Sequence, residues 1–140
     1  MRLASSGSRL LISLAVLGCL VTEGCQDATR AVVFGTVTLD GRPLDVGTIS
    51  FIPTGSTKGP VAGATIIDGK YRIDPNKGAI IGTNRIVFYG MQRTGRKISD
   101  GQESVEEYVN AIPPKYGDPS TLVRTIQPGE NEFTFELSSK

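Results

Sequence analysis

The chain has 140 residues, 15 Lys and Arg against 14 Asp and Glu, two cysteines, and neither His nor Trp. Its net charge of +1 lacks the basic excess that binds nucleic acid electrostatically, so no nucleic-acid partner is expected. Without histidine, the usual zinc sites and the Ser-His-Asp and Cys-His arrangements cannot be assembled.

The chain opens with Arg2 and Arg9, then an apolar run of 12 residues from Leu10 to Val21, then small residues up to Gly24 and Cys25. A basic start, a short apolar segment and a small residue before cysteine predict an exported bacterial lipoprotein whose residues 1–24 form the signal peptide. The run is shorter than the roughly 20 apolar residues a membrane-spanning helix needs. Cys25 is the expected acylation site. Cys19, which follows Val16-Leu17-Gly18, is the alternative. Cleavage after Gly24 leaves 116 residues with 13 basic and 13 acidic side chains, one domain without a cysteine pair. Acyl chains on the cysteine then supply the membrane contact, at about 0.8 kcal/mol per buried methylene, and residues 25–31 are a tether.

From Val32 the apolar residues alternate with period two, which predicts half-buried strands. Val33, Val37 and Leu39 point one way and Val32, Phe34, Thr36 and Thr38 the other, up to the turn Asp40-Gly41-Arg42-Pro43. Ile49 and Phe51 mark a second strand, ended by Pro53 and the Gly- and Pro-containing stretch 54–60. Asp68-Gly69 between Ala62–Ile67 and Lys70–Asp74 predicts a type I′ hairpin that sets Ile67 opposite Lys70, Ile66 opposite Tyr71 and Ala64 opposite Ile73. A strand over 84–89 buries Ile86 and Phe88. After a long excursion come Thr121–Ile126, a turn at Pro128-Gly129, and Glu132–Leu137, where Phe133, Phe135 and Leu137 alternate with polar residues. In the excursion, Ser104-Val105-Glu106-Glu107 predicts a capping box opening a short helix through Asn110, ended by Pro113-Pro114. The expected fold is all-β: a seven-stranded Greek-key β-sandwich over 32–140, with one short helix in a long loop.

The run from Val33 to Leu44 with its Leu39-Asp40-Gly41-Arg42-Pro43-Leu44 stretch, followed by Gly47–Pro53 and Gly69-Lys70-Tyr71, resembles the carboxypeptidase regulatory-like, or transthyretin-like, domain. It is especially similar to small bacterial lipoproteins with one such domain behind an acylated cysteine. The resemblance implies an immunoglobulin-like sandwich and an envelope location, and no reaction. Asn84 stands where that family commonly has Tyr. The family's hydroxyisourate hydrolases depend on histidines that this chain lacks.

No catalysis, metal or cofactor is therefore expected. The candidate carboxylate pairs, Glu106 with Glu107, Asp40 with Asp45 and Asp68 with Asp74, read more simply as surface and turn residues. The excursion over 90–120 is the candidate binding loop, because connections of some 30 residues are uncommon and often functional. It carries Arg93, Arg96, Lys97, Tyr108 and Tyr116. Two readings stand open: these residues hold a glycan, peptide or envelope protein, or Tyr108, Ile112 and Tyr116 close the open end of the sandwich. Gln26 after Cys25 points to the outer membrane or cell surface rather than the inner membrane.

Overall fold

A computed structural model describes residues 29–99, 101 and 103–140. The leader, both cysteines and residues 25–28 lie outside the described residues. Apart from two short 3-10 turns, Pro75–Lys77 and Pro114–Tyr116, the described elements are all strands. They are β1 (Arg30–Leu39), β2 (Arg42–Pro43), β3 (Val46–Pro53), β4 (Ala62–Ile67), β5 (Lys70–Ile73), β6 (Ala79–Ile80), β7 (Gly82–Ser99), β8 (Ser104–Asn110), β9 (Val123–Ile126) and β10 (Glu130–Leu137). The sheet order is β10-β1-β5-β4-β3-β7-β8, with β2 and β6 on β1 and β9 on β7. All pairings are antiparallel except β1 with β10, which lie side by side in parallel.

The period-two pattern decides which face is buried. Val33, Val37, Ile49, Phe51, Ile66, Ile73, Ile86, Phe88 and Phe135 are all withdrawn from solvent, as their alternation predicts. The sheet curls so that its two ends meet through their inner faces. Phe135 of β10 packs edge-on against Phe88 of β7 at 5.1 Å between ring centroids, and Tyr71 of β5 lies 6.3 Å from both Phe51 and Phe135. Such tilted and edge-to-face contacts add about 0.5–1.5 kcal/mol each beyond area burial. The Tyr71 hydroxyl donates to the Phe133 carbonyl at 3.0 Å, and burial pushes its pKa up. At Gly35, opposite Phe133 in the parallel ladder, a Cβ would fall 2.0 Å from the Phe133 carbonyl oxygen. The close approach of β1 and β10 therefore requires glycine there.

The Asp68-Gly69 turn forms as expected, with both residues at positive φ and Ile67 opposite Lys70. Beyond that pair β5 turns to β1, so Tyr71 faces Gly35 and Ile73 faces Val33 in the ladder rather than Ile66 and Ala64. β1 begins at Arg30, and the Thr29 carbonyl accepts the Ile81 N–H. Residues 30 and 31, expected in the tether, belong to the sheet because Ala31 is buried in the core.

The expected short helix and long loop are not present. Residues 104–110 form β8, and β7 runs on to Ser99 as its partner, so the excursion is mostly a hairpin. Two physical causes outweigh the capping box: Val105, Tyr108 and Val109 favour an extended backbone, and Ile98, Arg93 and Gln92 lie across the ladder to pair with them. A helix of so few residues has little stability of its own.

Candidate functional site

β3 runs alongside β7 only as far as Met91, opposite Val46. From Gln92 to Ser99, β7 therefore leaves the body of the sheet and pairs with β8 alone, as an exposed two-stranded ribbon. Four of the five residues expected to line a binding loop lie on it. Arg93, Arg96 and Lys97 are on β7, and Tyr108 is on β8 directly opposite Arg93.

The ribbon is fastened at its base. The Arg93 guanidinium donates to Asp45 Oδ1 at 2.7 Å, its backbone N–H donates to Asp45 Oδ2 at 2.8 Å, and Asp68 Oδ1 stands 3.9 Å from the same guanidinium. The Arg93 hydrogen bond holds the Asp45 carboxyl below the ordinary carboxylate value, and Asp45 in turn raises the Arg93 pKa. Asp45 and Asp68 are thus the carboxylates the fold brings together, and both are held by one cation. The pairs suggested by sequence do not form. Glu106 and Glu107 are successive residues of a strand and point to opposite faces. Asp40 accepts the Ser139 N–H, and Asp74 accepts from Arg72.

Further out, the ladder shifts between Arg93 and Lys97, with Gly95 at φ 82. The bulge lets Thr94 and Arg96 converge on Glu107: the Thr94 hydroxyl donates to Glu107 Oε2 at 2.7 Å and Arg96 Nε donates to the same oxygen at 2.9 Å. These bonds, Thr94 foremost, hold the Glu107 pKa below its ordinary value. Lys97 sits opposite Glu106, and Ile98 opposite Val105 near the tip, each of the latter two 51% exposed. Arg42, Asp45, Arg93, Thr94, Gly95 and Glu106 line an open depression of about 300 Å³ at the base. Among the described residues, no group of three or more His, Cys, Asp or Glu is placed to hold a metal ion.

Tyr116 is not on the ribbon. It packs half-buried against the core, and its hydroxyl accepts the Ser138 N–H at 3.1 Å, tying the chain after β10. Ile112 and Ala111 pack on the same core. So of the two open readings, packing against the core applies to Tyr116 and Ile112, and Tyr108 stays with the exposed ribbon. Sequence reasoning missed Asp45, Thr94, Glu107 and Glu106 as partners in this site. The signal for Thr94, Glu106 and Glu107 is Asp100-Gly101, the same dipeptide as Asp68-Gly69, lying between two alternating runs, whereas Asp45, just before β3, has no such local mark.

Asn84, where the resembling family has Tyr, is completely buried, and its amide donates to the carbonyls of Ile80 at 2.8 Å and Gly82 at 3.0 Å. It secures the start of β7. No helix among the described residues is long and apolar enough to cross a membrane. No protein-family model matches this sequence, and no curated protein or solved structure matches it either.

Proposed function

We propose that this chain is a lipid-anchored, exported cell-envelope protein whose carboxypeptidase regulatory-like sandwich has a structural or interaction role and no catalysis. The Phe135 to Phe88 contact between the two ends of the curled sheet supports the sandwich reading. The observation that carries the interaction role is the ribbon: Ile98 and Val105 face solvent near its tip, and Arg93 and Arg96 are engaged by carboxylates of the same chain. At its base the exposed Ile67, Val46 and Met91 stand side by side across β4, β3 and β7. An apolar strip continuous with an unsupported ribbon is the kind of surface that a partner covers.

A second reading, a glycan or peptide ligand, is favoured by the depression at the ribbon base, where Arg42 and Glu106 have no ion-pair partner among the described residues. Retention on envelope material tests both. Ile98→Ser with Val105→Ser should abolish retention if the tip carries a protein contact, whereas Arg42→Ala with Glu106→Ala should do so if the depression carries a ligand. Full retention by both variants contradicts both readings.

A further inference from the structure

Strand direction divides the domain into two poles. β1 enters at Arg30, and the registers place the ends of β3 and β5 and the starts of β4, β7 and β10 at that same pole. The ribbon tip is at the opposite one, because β7 begins at the entry pole with Gly82 and ends at Ser99. At about 3.3 Å per residue its 18 residues reach up to about 55 Å. Cys25 precedes Arg30 by only five positions, a span of at most about 18 Å. An acyl anchor at Cys25 therefore keeps the entry pole close to the bilayer.

The chemistry of that pole matches such a neighbour. Its exposed loops carry Lys58, between β3 and β4, and Lys77, in the 3-10 turn before β6, neither with a carboxylate partner among the described residues. Arg30 is half-buried and donates to the Gly78 carbonyl at 3.2 Å, with no carboxylate partner among the described residues. Of the carboxylates at this pole, Asp74 and Glu130 are both engaged by Arg72, at 3.0 and 3.6 Å. In sequence, Asp27 adds one negative charge between Cys25 and β1. Val61, 58% exposed, adds an apolar side chain beside the Lys58 loop.

We propose that the entry pole is a membrane-facing surface on which Arg30, Lys58 and Lys77 meet anionic lipid headgroups and Val61 contacts the interface. It rests on the acylation reading above. The consequence is a fixed orientation: the ribbon is held away from the bilayer, pointing at whatever lies across the envelope. Each basic side chain beside an anionic surface favours the bound orientation about fivefold.

The test uses the full chain extracted from membranes and reconstituted on vesicles of phosphatidylcholine alone or with phosphatidylglycerol, with lysine acetylation rates read by mass spectrometry. On the anionic vesicles Lys58 and Lys77 should react about fivefold more slowly than on the neutral ones, while Lys70 and Lys97 at the far pole keep their rates. Lys77→Glu should return most of the lost rate to Lys58. Equal rates at all four lysines, or slowing at Lys97, overturns the orientation. The same spectra report the N-terminal peptide. An unacylated Cys25 removes the anchor together with the orientation, whereas an acylated peptide with uniform lysine rates removes the orientation alone.

Discussion

Arg93 and Asp45 are joined twice: the guanidinium donates to Oδ1 at 2.7 Å and the backbone N–H of the same arginine to Oδ2 at 2.8 Å. One carboxylate thereby ties both the backbone and the side chain of β7 just beyond the point where it leaves β3.

The junction is pH-dependent in a defined sense. The pKa of Asp45 is lowered in the fold below the ordinary carboxylate value, chiefly by the Arg93 hydrogen bond. Its contribution to stability is therefore present above that value and is lost as pH falls through the lower folded one. Asp45→Asn should weaken the acid-side loss of amide protection in residues 93–99, read by hydrogen exchange between pH 5 and pH 2, the range set by ordinary carboxylate titration. At neutral pH it should cost about 1 kcal/mol, because part of the ion pair is solvent-exposed. An unchanged acid profile would show that the carboxylate does not hold the ribbon.

Gly35→Ala should destabilise the domain by about 3 kcal/mol in urea denaturation, since a Cβ there meets the Phe133 carbonyl at 2.0 Å and φ is 153°. Gly129→Ala, at φ 92 with open space around it, should cost about 1 kcal/mol. Similar losses at the two positions would contradict the close approach of β1 and β10.

Phe135→Ala removes the ring that touches Phe88, Tyr71 and Phe133, and should cost about 3–5 kcal/mol. Its effect separates a curled sheet closed through β10 from a flat one with β10 as a dispensable edge. Thermal unfolding within a degree of wild type would favour the flat sheet.

Much of the fold was legible because burial on one face of a strand leaves a period of two. Val33, Val37, Ile49, Phe51, Ile86, Phe88 and Phe135 were readable on that ground, and Asp68-Gly69 placed Ile67 opposite Lys70. Apart from Asp100-Gly101, the ribbon left little mark in the sequence, because both its faces are wet. Ile98, Val105 and Val109 alternate with charges that solvent accepts on either side, so no face is marked as interior, and a capping-box spelling then suggests a helix. The parallel pairing of β1 with β10, between residues about a hundred positions apart, likewise leaves no local trace. At the site, four of the five expected residues do come together. Tyr116 takes the other of the two readings open to it, packing on the core, and its bond to Ser138, far along the chain, leaves no local trace.

The two tyrosines of the 90–120 segment should separate cleanly. Tyr116→Phe removes the acceptor for the Ser138 N–H and should cost about 1 kcal/mol without changing envelope retention. Tyr108→Ala, 40% exposed, should leave the melting temperature within a degree or two while reducing retention. The reverse pattern would return Tyr108 to the core and take the ribbon out of the binding role.

The mass of the N-terminal peptide, taken from protein purified out of its own membranes, is the most direct check on the lipid-anchor account. A mature chain beginning at Cys25, or at Cys19, and heavier by its acyl groups is the expected result. An intact or conventionally cleaved leader with a free thiol would contradict it.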